Sequence, residues 1–131
     1  MFIDIQQALY DRLATLSIPV YDHVPQGASF PYIVIGNMDH NEWDTDLENG
    51  FDIVADIHVW DRVHNGKKSV KTIQSQIYSL LHKKEALLGD GFVLANAEFA
   101  SSFLDIDGLT YHAIQRFRFL FREQIEEDEE D

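Results

Sequence analysis

Acidic side chains that could bind a calcium ion alternate at Asp44, Asp46 and Glu48. An EF-hand loop that began at Asp44 would require glycine at its sixth position and glutamate at its twelfth. This sequence has Asn49 and Ala55 there, so the pattern fails and no metal site is predicted. We interpret the segment as a solvated loop or a protein contact.

A second acidic pair, Asp105 and Asp107, comes directly before Gly108. It fails the calcium pattern in the same way. An Asp-Gly pair between two strand-like segments is typical of a two-residue hairpin turn. We therefore predict a turn at Asp107 and Gly108.

The six histidines do not have the spacing of zinc ligands, because no two are separated by one or three residues. They are His23, His40, His58, His64, His82 and His112. His58 and His112 lie on two predicted strands and would face each other if those strands were neighbours. We interpret all six as ordinary histidines on polar faces.

No catalytic motif accompanies these residues. A Gly-x-Ser-x-Gly turn is missing, and residues 65–69 lack the flanking glycine and strand context of a phosphate-binding loop. The chain has no cysteine, which excludes disulfides, thiolate nucleophiles and zinc–thiolate sites. We predict no catalytic residue and no cofactor, and hence a protein that is not an enzyme.

The formal net charge of −13 opposes binding to nucleic acid, which requires clustered lysine and arginine. Seven acids lie in the last nine residues, which leaves −6 for residues 1–122. Residues 123–131 are predicted to be a disordered acidic tail. No apolar run is long enough to span a membrane, and the N-terminus lacks the pattern of a signal peptide. We expect a soluble protein that is made in a cytoplasm.

Any interaction site must be positioned by a strand and a helix that follow each other closely. In residues 51–62, Ile53, Ala55, Ile57 and Val59 fall on one face, which predicts a half-buried strand. Beyond the Asn-Gly pair at 65–66 the apolar period changes to three or four residues, which predicts an amphipathic helix over 66–83.

The other predicted elements complete one domain over residues 1–122. They are a helix over 2–16, short strands at 20–21 and 32–36, an irregular loop over 37–50, a connector over 85–91, and long strands over 92–106 and 109–122. Two helices cannot cover both faces of a sheet. The expected fold is therefore α+β, a mostly antiparallel sheet with both helices packed on one face.

The long loop and the hairpin turn are the candidate contact sites. Fourteen residues without periodicity exceed the usual loop length, and tryptophan is enriched at interface hot spots. We predict contacts with subunits or partners through Asp39, Glu42, Trp43, Asp44, Asp46, Glu48, Asp107 and Gly108.

The order and spacing of these pieces resemble the tail-completion, or tail-terminator, proteins of long-tailed phages, prophages and gene-transfer agents. The resemblance covers roughly residues 5–122. It rests on the first helix and on the segments at 24–28 (VPQGA), 31–34 (PYIV), 57–61 (IHVWD), 80–82 (LLH) and 117–119 (FRF), with Asp107-Gly108 before the last. The acidic tail is not part of that pattern.

The resemblance implies a structural virion protein. Such a protein would form a homo-hexameric ring on the tail tube, end tail growth and join the tail to the head neck. The implied partners are other copies, the major tail tube protein and a neck or connector protein, with DNA passing through the lumen without specific binding. The implied location is the tail–neck junction, after synthesis in the bacterial host cytoplasm.

Two other readings remain open at this point. One is a dimeric α+β domain that binds or converts a small molecule in a pocket near His58, His112 and Arg116. The other is an acidic DNA mimic that inhibits a nuclease, which the seven acids of the tail motivate.

Overall fold

The fold is described from a computed structural model that covers residues 2–44, 49–82, 88–89 and 92–123. Within these ranges the chain forms two helices and six strands, together with a single 3₁₀ turn over Val63–Asn65. In chain order the helices and strands are α1 (Phe2–Ala14), β1 (Val20–Tyr21), β2 (Tyr32–Glu42), β3 (Gly50–Arg62), α2 (Lys67–Leu81), β4 (Leu88–Gly89), β5 (Phe92–Asp107) and β6 (Thr110–Glu123).

The six strands form one sheet in the order β1-β2-β3-β6-β5-β4. β1 runs parallel to β2, and the other neighbouring strands are antiparallel. At the centre, β3 and β6 pair along their whole length, from Gly50 opposite Arg122 to Arg62 opposite Thr110. The prediction of a mostly antiparallel α+β fold is confirmed.

One face of the central strands forms the core. The predicted inward residues of β3 are fully buried, and on β6 Phe117, Phe119 and Phe121 are at most 1% exposed. The alternation in the sequence predicts the buried face correctly, because successive side chains of a strand point to opposite faces. The helices supply the other half of the same apolar cluster, through residues such as Leu9 and Ile77. Both helices therefore cover one face, as predicted.

The helices are slightly shorter than predicted. α1 ends at Ala14 rather than residue 16, and Ser17 takes a left-handed φ of 62° before Pro19. α2 ends at Leu81, because His82 is already extended with φ −69° and ψ 122°. A proline two residues beyond a left-handed residue is a common helix stop.

The prediction of an irregular loop over residues 37–50 is wrong in its first half. β2 continues to Glu42, and Met38 to Glu42 pair with Phe51 to Ala55 of β3. The pairing register shifts between Ile35 and Met38, so that a bulge interrupts the alternation. The connection between the two strands is thus confined to residues 43–49.

The connector predicted over 85–91 contains a strand that sequence reasoning missed. Leu88 and Gly89 form β4, which pairs with Val93 and Phe92 at the start of β5. The predicted disordered tail lies outside the described residues apart from Glu123, the last residue of β6. None of the described helices has the length and hydropathy that a membrane crossing requires.

Candidate functional site

The structure places the predicted contact residues at two opposite ends of the sheet. The connection between β2 and β3 lies beside Arg122, whereas the turn between β5 and β6 lies beside Arg62. These two ends are separated by the full length of β3, which is 13 residues. At about 3.3 Å per strand residue, they lie about 40 Å apart. The predicted contact residues therefore form two separate groups, one at each end of the sheet.

The first end, which we call the acidic end, comprises Asp39, Glu42, Trp43, Asp44 and Asn49. Asp39 and Glu42 are exposed side chains of β2, and Asp44 is exposed in the connection. The Asp44 carboxylate accepts a hydrogen bond from the Gly50 backbone N–H at 3.1 Å. The other predicted residues of this segment, Asp46 and Glu48, lie outside the described residues.

Trp43 is anchored at the acidic end rather than freely exposed. Its backbone N–H donates to the Gly50 carbonyl at 2.8 Å, and the Arg122 guanidinium lies 5.2 Å from its ring centroid. Gly50 leaves no room for a side chain, since a Cβ there would lie 2.6 Å from the carbonyl oxygens of Phe121 and Trp43. Glycine at position 50 therefore allows Trp43 to close over the end of the sheet.

The second end, which we call the hairpin tip, comprises Asp105, Ile106, Asp107, Gly108 and Leu109. Gly108 has a φ of +63°, the left-handed conformation that a tight turn requires. The Leu109 carbonyl accepts a hydrogen bond from the Val63 N–H at 2.8 Å, which ties the tip to the start of the 3₁₀ turn. Asp107 and Gly108 are both exposed.

Apolar side chains surround the hairpin tip, and sequence reasoning did not single them out. Leu109 is 74% exposed, Phe103 59% and Ile106 53%, which makes them three of the five exposed large apolar side chains in the described part of the chain. Ile106 and Phe103 lie on opposite faces of β5, because Ile106 pairs with Tyr111 and Phe103 pairs with Ile114. Exposed apolar side chains at the tip are candidates for an interaction surface.

The turn consists of Gly108 and Leu109, one residue later than predicted, because β5 ends at Asp107 and β6 begins at Thr110. In sequence Leu109 continued the apolar alternation of Tyr111 and Ala113, so its exposure could not be predicted.

The face of the sheet without helices carries ion pairs between its central strands. Arg116 Nε lies 2.8 Å from Asp56, and Arg118 binds Asp52 through two contacts of 2.9 and 2.6 Å. The hydrogen bond from Arg118 to Asp52 raises the pKa of that guanidinium. These pairs hold the two strands in register across an exposed surface.

Two histidines meet on the same face. His58 Nδ1 and His112 Nε2 lie 2.7 Å apart, with one of the two nitrogens donating, and the Trp60 ring stacks on His112 at a centroid distance of 3.7 Å. Burial lowers the pKa of His58, and burial together with the neighbouring His58 lowers the pKa of His112. Burial therefore disfavours the charged form of both rings.

These histidines do not form the pocket that the hypothesis of a small-molecule-binding domain requires. Arg116, the third residue of that reading, is bound to Asp56 instead. The described cavities lie elsewhere; one of about 330 Å³ is a groove between α2 and β5. Among the residues that the structure covers, no three carboxylate or imidazole groups lie together as metal ligands would.

Sequence reasoning also missed a buried carboxylate that positions α2. Asp61 is 0% exposed and lies in the inward series of β3 after Val59. Its carboxylate accepts hydrogen bonds from Asn65 Nδ2 at 2.7 Å, Ser69 Oγ at 2.6 Å and the Arg62 N–H at 2.8 Å. The strand, the 3₁₀ turn and the first turn of α2 are thereby joined at one point.

Comparison with known proteins agrees with this architecture. A sequence model of the family described as "Tail completion protein gp17" matches residues 5–122. The relative "Tail completion protein gp17" of Bacillus phage SPP1 is 31% identical over 91 residues, which cover 69% of this chain and 66% of that protein. The chain thus matches just under two thirds of the length of this curated relative.

A solved structure shares the fold. A chain from the virion of a native gene transfer agent (GTA) particle superimposes with a TM-score of 0.76, covering 89% of this chain and 93% of that chain. The sequence identity is 21%, so this likeness concerns the arrangement of helices and strands.

Proposed function

The chain belongs to the tail completion protein gp17 family, and from this premise we propose that it is a structural, non-enzymatic component of a phage-like virion. In this role a homo-hexameric ring of the chain caps the tail tube at its head-proximal end. The ring stops further growth of the tube and joins the finished tail to the neck of the head.

The observation that carries the proposal is the separation of the two candidate contact ends along one rigid sheet. A joining protein must bind the tail on one side and the neck on the other, and a span of about 40 Å between the ends keeps those two contacts apart. The acidic end then meets either the major tail tube protein or a neck protein. The loop that precedes β2 lies at the opposite end, together with the hairpin tip, because Tyr32 pairs with Trp60 near the end of β3.

The charge of the chain supports a ring through which DNA passes without being gripped. Six chains of −13 each carry a formal charge of −78. A lumen with an acidic lining repels phosphate backbones, whereas a DNA-binding channel would require clustered lysine and arginine. No cofactor has a role in this function.

Deletion of the gene from the particle that encodes it tests the proposal. Negative-stain microscopy is expected to show overlong tails, or heads and tails that remain unattached. Wild-type chain supplied from a plasmid should restore joined particles of normal tail length. Particles of normal length and normal infectivity without the chain would overturn the proposal.

A further inference from the structure

We propose that the hairpin tip of one copy docks into the groove between α2 and β5 of a second copy, so that this single contact, repeated, builds the assembly. The inference rests on the proposed function, because it names the partner of the hairpin tip in the ring. It concerns only contacts between identical chains.

The tip side of the contact is apolar and acidic. At the tip, Leu109 is 74% exposed and Ile106 is 53% exposed, and the exposed acids Asp105 and Asp107 lie beside them. An exposed apolar patch of this kind, bordered by charges, is the usual composition of a protein interface.

The outer edge of β5 is a second feature that favours contact with another chain. Within the described chain, β4 pairs only with Phe92 and Val93, so that no described strand lies beside residues 94–107 of β5. Two amides in this segment are capped by side chains, Phe99 N–H by His82 Nδ1 at 3.0 Å and Ile106 N–H by Asp105 at 2.8 Å. An unpaired edge of this length is a template for contact with another chain.

The groove side is partly apolar and carries one lysine, Lys71. The cavity of about 330 Å³ is lined by Lys71, Gln74, Tyr78, Phe99, Ser102 and Gln115. Tyr78 is 41% exposed there, and its ring packs edge-on against Phe99 at a centroid distance of 5.4 Å. These two rings offer an apolar surface to an incoming leucine or isoleucine.

The groove also contains a buried acceptor that lacks a donor. Gln115 is 3% exposed; its Nε2 donates to the Gln74 carbonyl at 2.9 Å, but its Oε1 has no hydrogen-bond partner within the described residues. A buried polar atom of this kind is costly unless a partner satisfies it. Because Oε1 itself is buried, a docked chain could donate to it only after the Gln115 side chain turns towards the groove.

Charge complementarity selects the occupant. Lys67, Lys68 and Lys71 lie at the start of α2, where no acidic side chain occupies the first turn and the helix dipole disfavours cations. No carboxylate of the described residues forms a salt bridge with any of the three. Asp105 and Asp107 of a second copy would place two negative charges beside them.

The positions of the two surfaces decide the kind of contact. The tip lies at one end of the sheet, whereas the groove runs along its β5 flank. One copy can therefore offer its tip to a second copy while its own groove receives the tip of a third. Such head-to-side contacts are heterologous, and they close into a ring when the rotation between copies allows it.

Reversal of the charges on each side tests the contact, with each variant supplied to particles that lack the wild-type chain. The tip variant D105K/D107K alone and the groove variant K67E/K71E alone are each expected to lower the number of joined particles about tenfold or more, because like charges then meet. Co-expression of the two variants should restore joined particles, since copies that alternate around the ring satisfy every contact. The matched control D11K/D22K, which changes two exposed acids elsewhere, should complement like wild type.

Single-variant complementation at the wild-type level would overturn the inference and leave the proposed function intact. The same holds if co-expression fails to restore particles although thermal melting shows both variants folded. Normal particles in the absence of any copy would instead contradict the proposed function.

Disulfide trapping decides the contact independently of particle assembly. The chain has no cysteine, so chains carrying Leu109→Cys and chains carrying Ser75→Cys each contain one thiol. Oxidation of their mixture should yield a cross-linked heterodimer, because a disulfide requires Cα atoms within about 7 Å. If Leu109→Cys cross-links no better to Ser75→Cys than to Asp11→Cys on α1, the inference is wrong.

Discussion

Asp61 and Ser69 are joined by a hydrogen bond of 2.6 Å from the serine hydroxyl to a carboxylate that is completely buried. The bond connects the end of β3 to the first turn of α2. It ties the central strand β3 to α2, the helix that forms one wall of the groove between α2 and β5.

We expect Asp61→Ala to lower the free energy of unfolding by about 1–3 kcal/mol, because it removes three hydrogen bonds, from Asn65, Ser69 and the Arg62 N–H. Ser69→Ala should cost about 1 kcal/mol, since it removes one of the three hydrogen bonds. Urea denaturation measures both changes, and Ser79→Ala on the exposed side of the same helix serves as the control. Equal stability of Asp61→Ala and wild type would contradict the role of this carboxylate.

Stability should fall as the pH drops below about 6.5, the ordinary pKa of histidine. Burial lowers the pKa of His58 and His112 in the folded chain, so the unfolded chain binds more protons in the window between the unfolded and folded values. Protonation then favours unfolding, and the loss grows until the folded pKa is passed.

Thermal melting between pH 7.5 and 5 measures this effect. The double variant His58→Gln/His112→Gln should show a smaller decrease in melting temperature over this range than wild type. His64→Gln, a change at an exposed histidine, should behave like wild type. If the melting temperatures of wild type and the double variant decrease equally over this range, the two histidines do not contribute to the pH dependence of stability.

Gly50→Ala should destabilise the acidic end, because the added Cβ would lie 2.6 Å from two backbone oxygens. Overpacking of this kind costs about 1–3 kcal/mol. The change should also alter the fluorescence of Trp43, whose backbone is bonded to residue 50. Asn49→Ala, at the exposed neighbouring position, should leave the fluorescence nearly unchanged. If Gly50→Ala changes neither the stability nor the Trp43 fluorescence, the tight packing at residue 50 is refuted.

The acidic end should be required for assembly but not for folding. Asp39, Glu42 and Asp44 are exposed, so Asp39→Asn/Glu42→Gln/Asp44→Asn removes three charges and keeps the oxygen that accepts the Gly50 N–H. We expect an unchanged melting temperature and a reduction in joined particles of about tenfold or more. Wild-type complementation by this variant would exclude a charge-dependent contact here. Neutralisation is cleaner than deletion of residues 39–48, because residues 39–42 belong to β2.

The parts of the fold that sequence predicts are those in which local pattern and burial agree. Alternation in β3 and β6 identified both faces of the sheet, and the helical period located α2, because each apolar position is repeated several times. β2 escaped prediction beyond Gly36. Its residues Asn37, Asp39 and Asn41 have low strand propensity, and the bulge breaks the period, so only pairing with β3 holds them extended.

The candidate sites were predicted less completely, because their geometry depends on pairing register. His58 and His112 are 54 residues apart, and their contact follows from the register of β3 and β6. The opposite placement of the acidic end and the hairpin tip has the same origin. Asp61 could have been found from sequence, since it continues the buried series Ile53, Ala55, Ile57 and Val59. The exposed β5 edge could not, because it depends on how far β4 extends.

A symmetric electron cryomicroscopy reconstruction of the purified particle tests the central claim most directly. We expect six copies of this fold in a ring at the head-proximal end of the tail tube, with the acidic end against a neighbouring virion protein. A ring made of a different chain at that position, or density for this chain elsewhere in the particle or nowhere in it, would contradict the account.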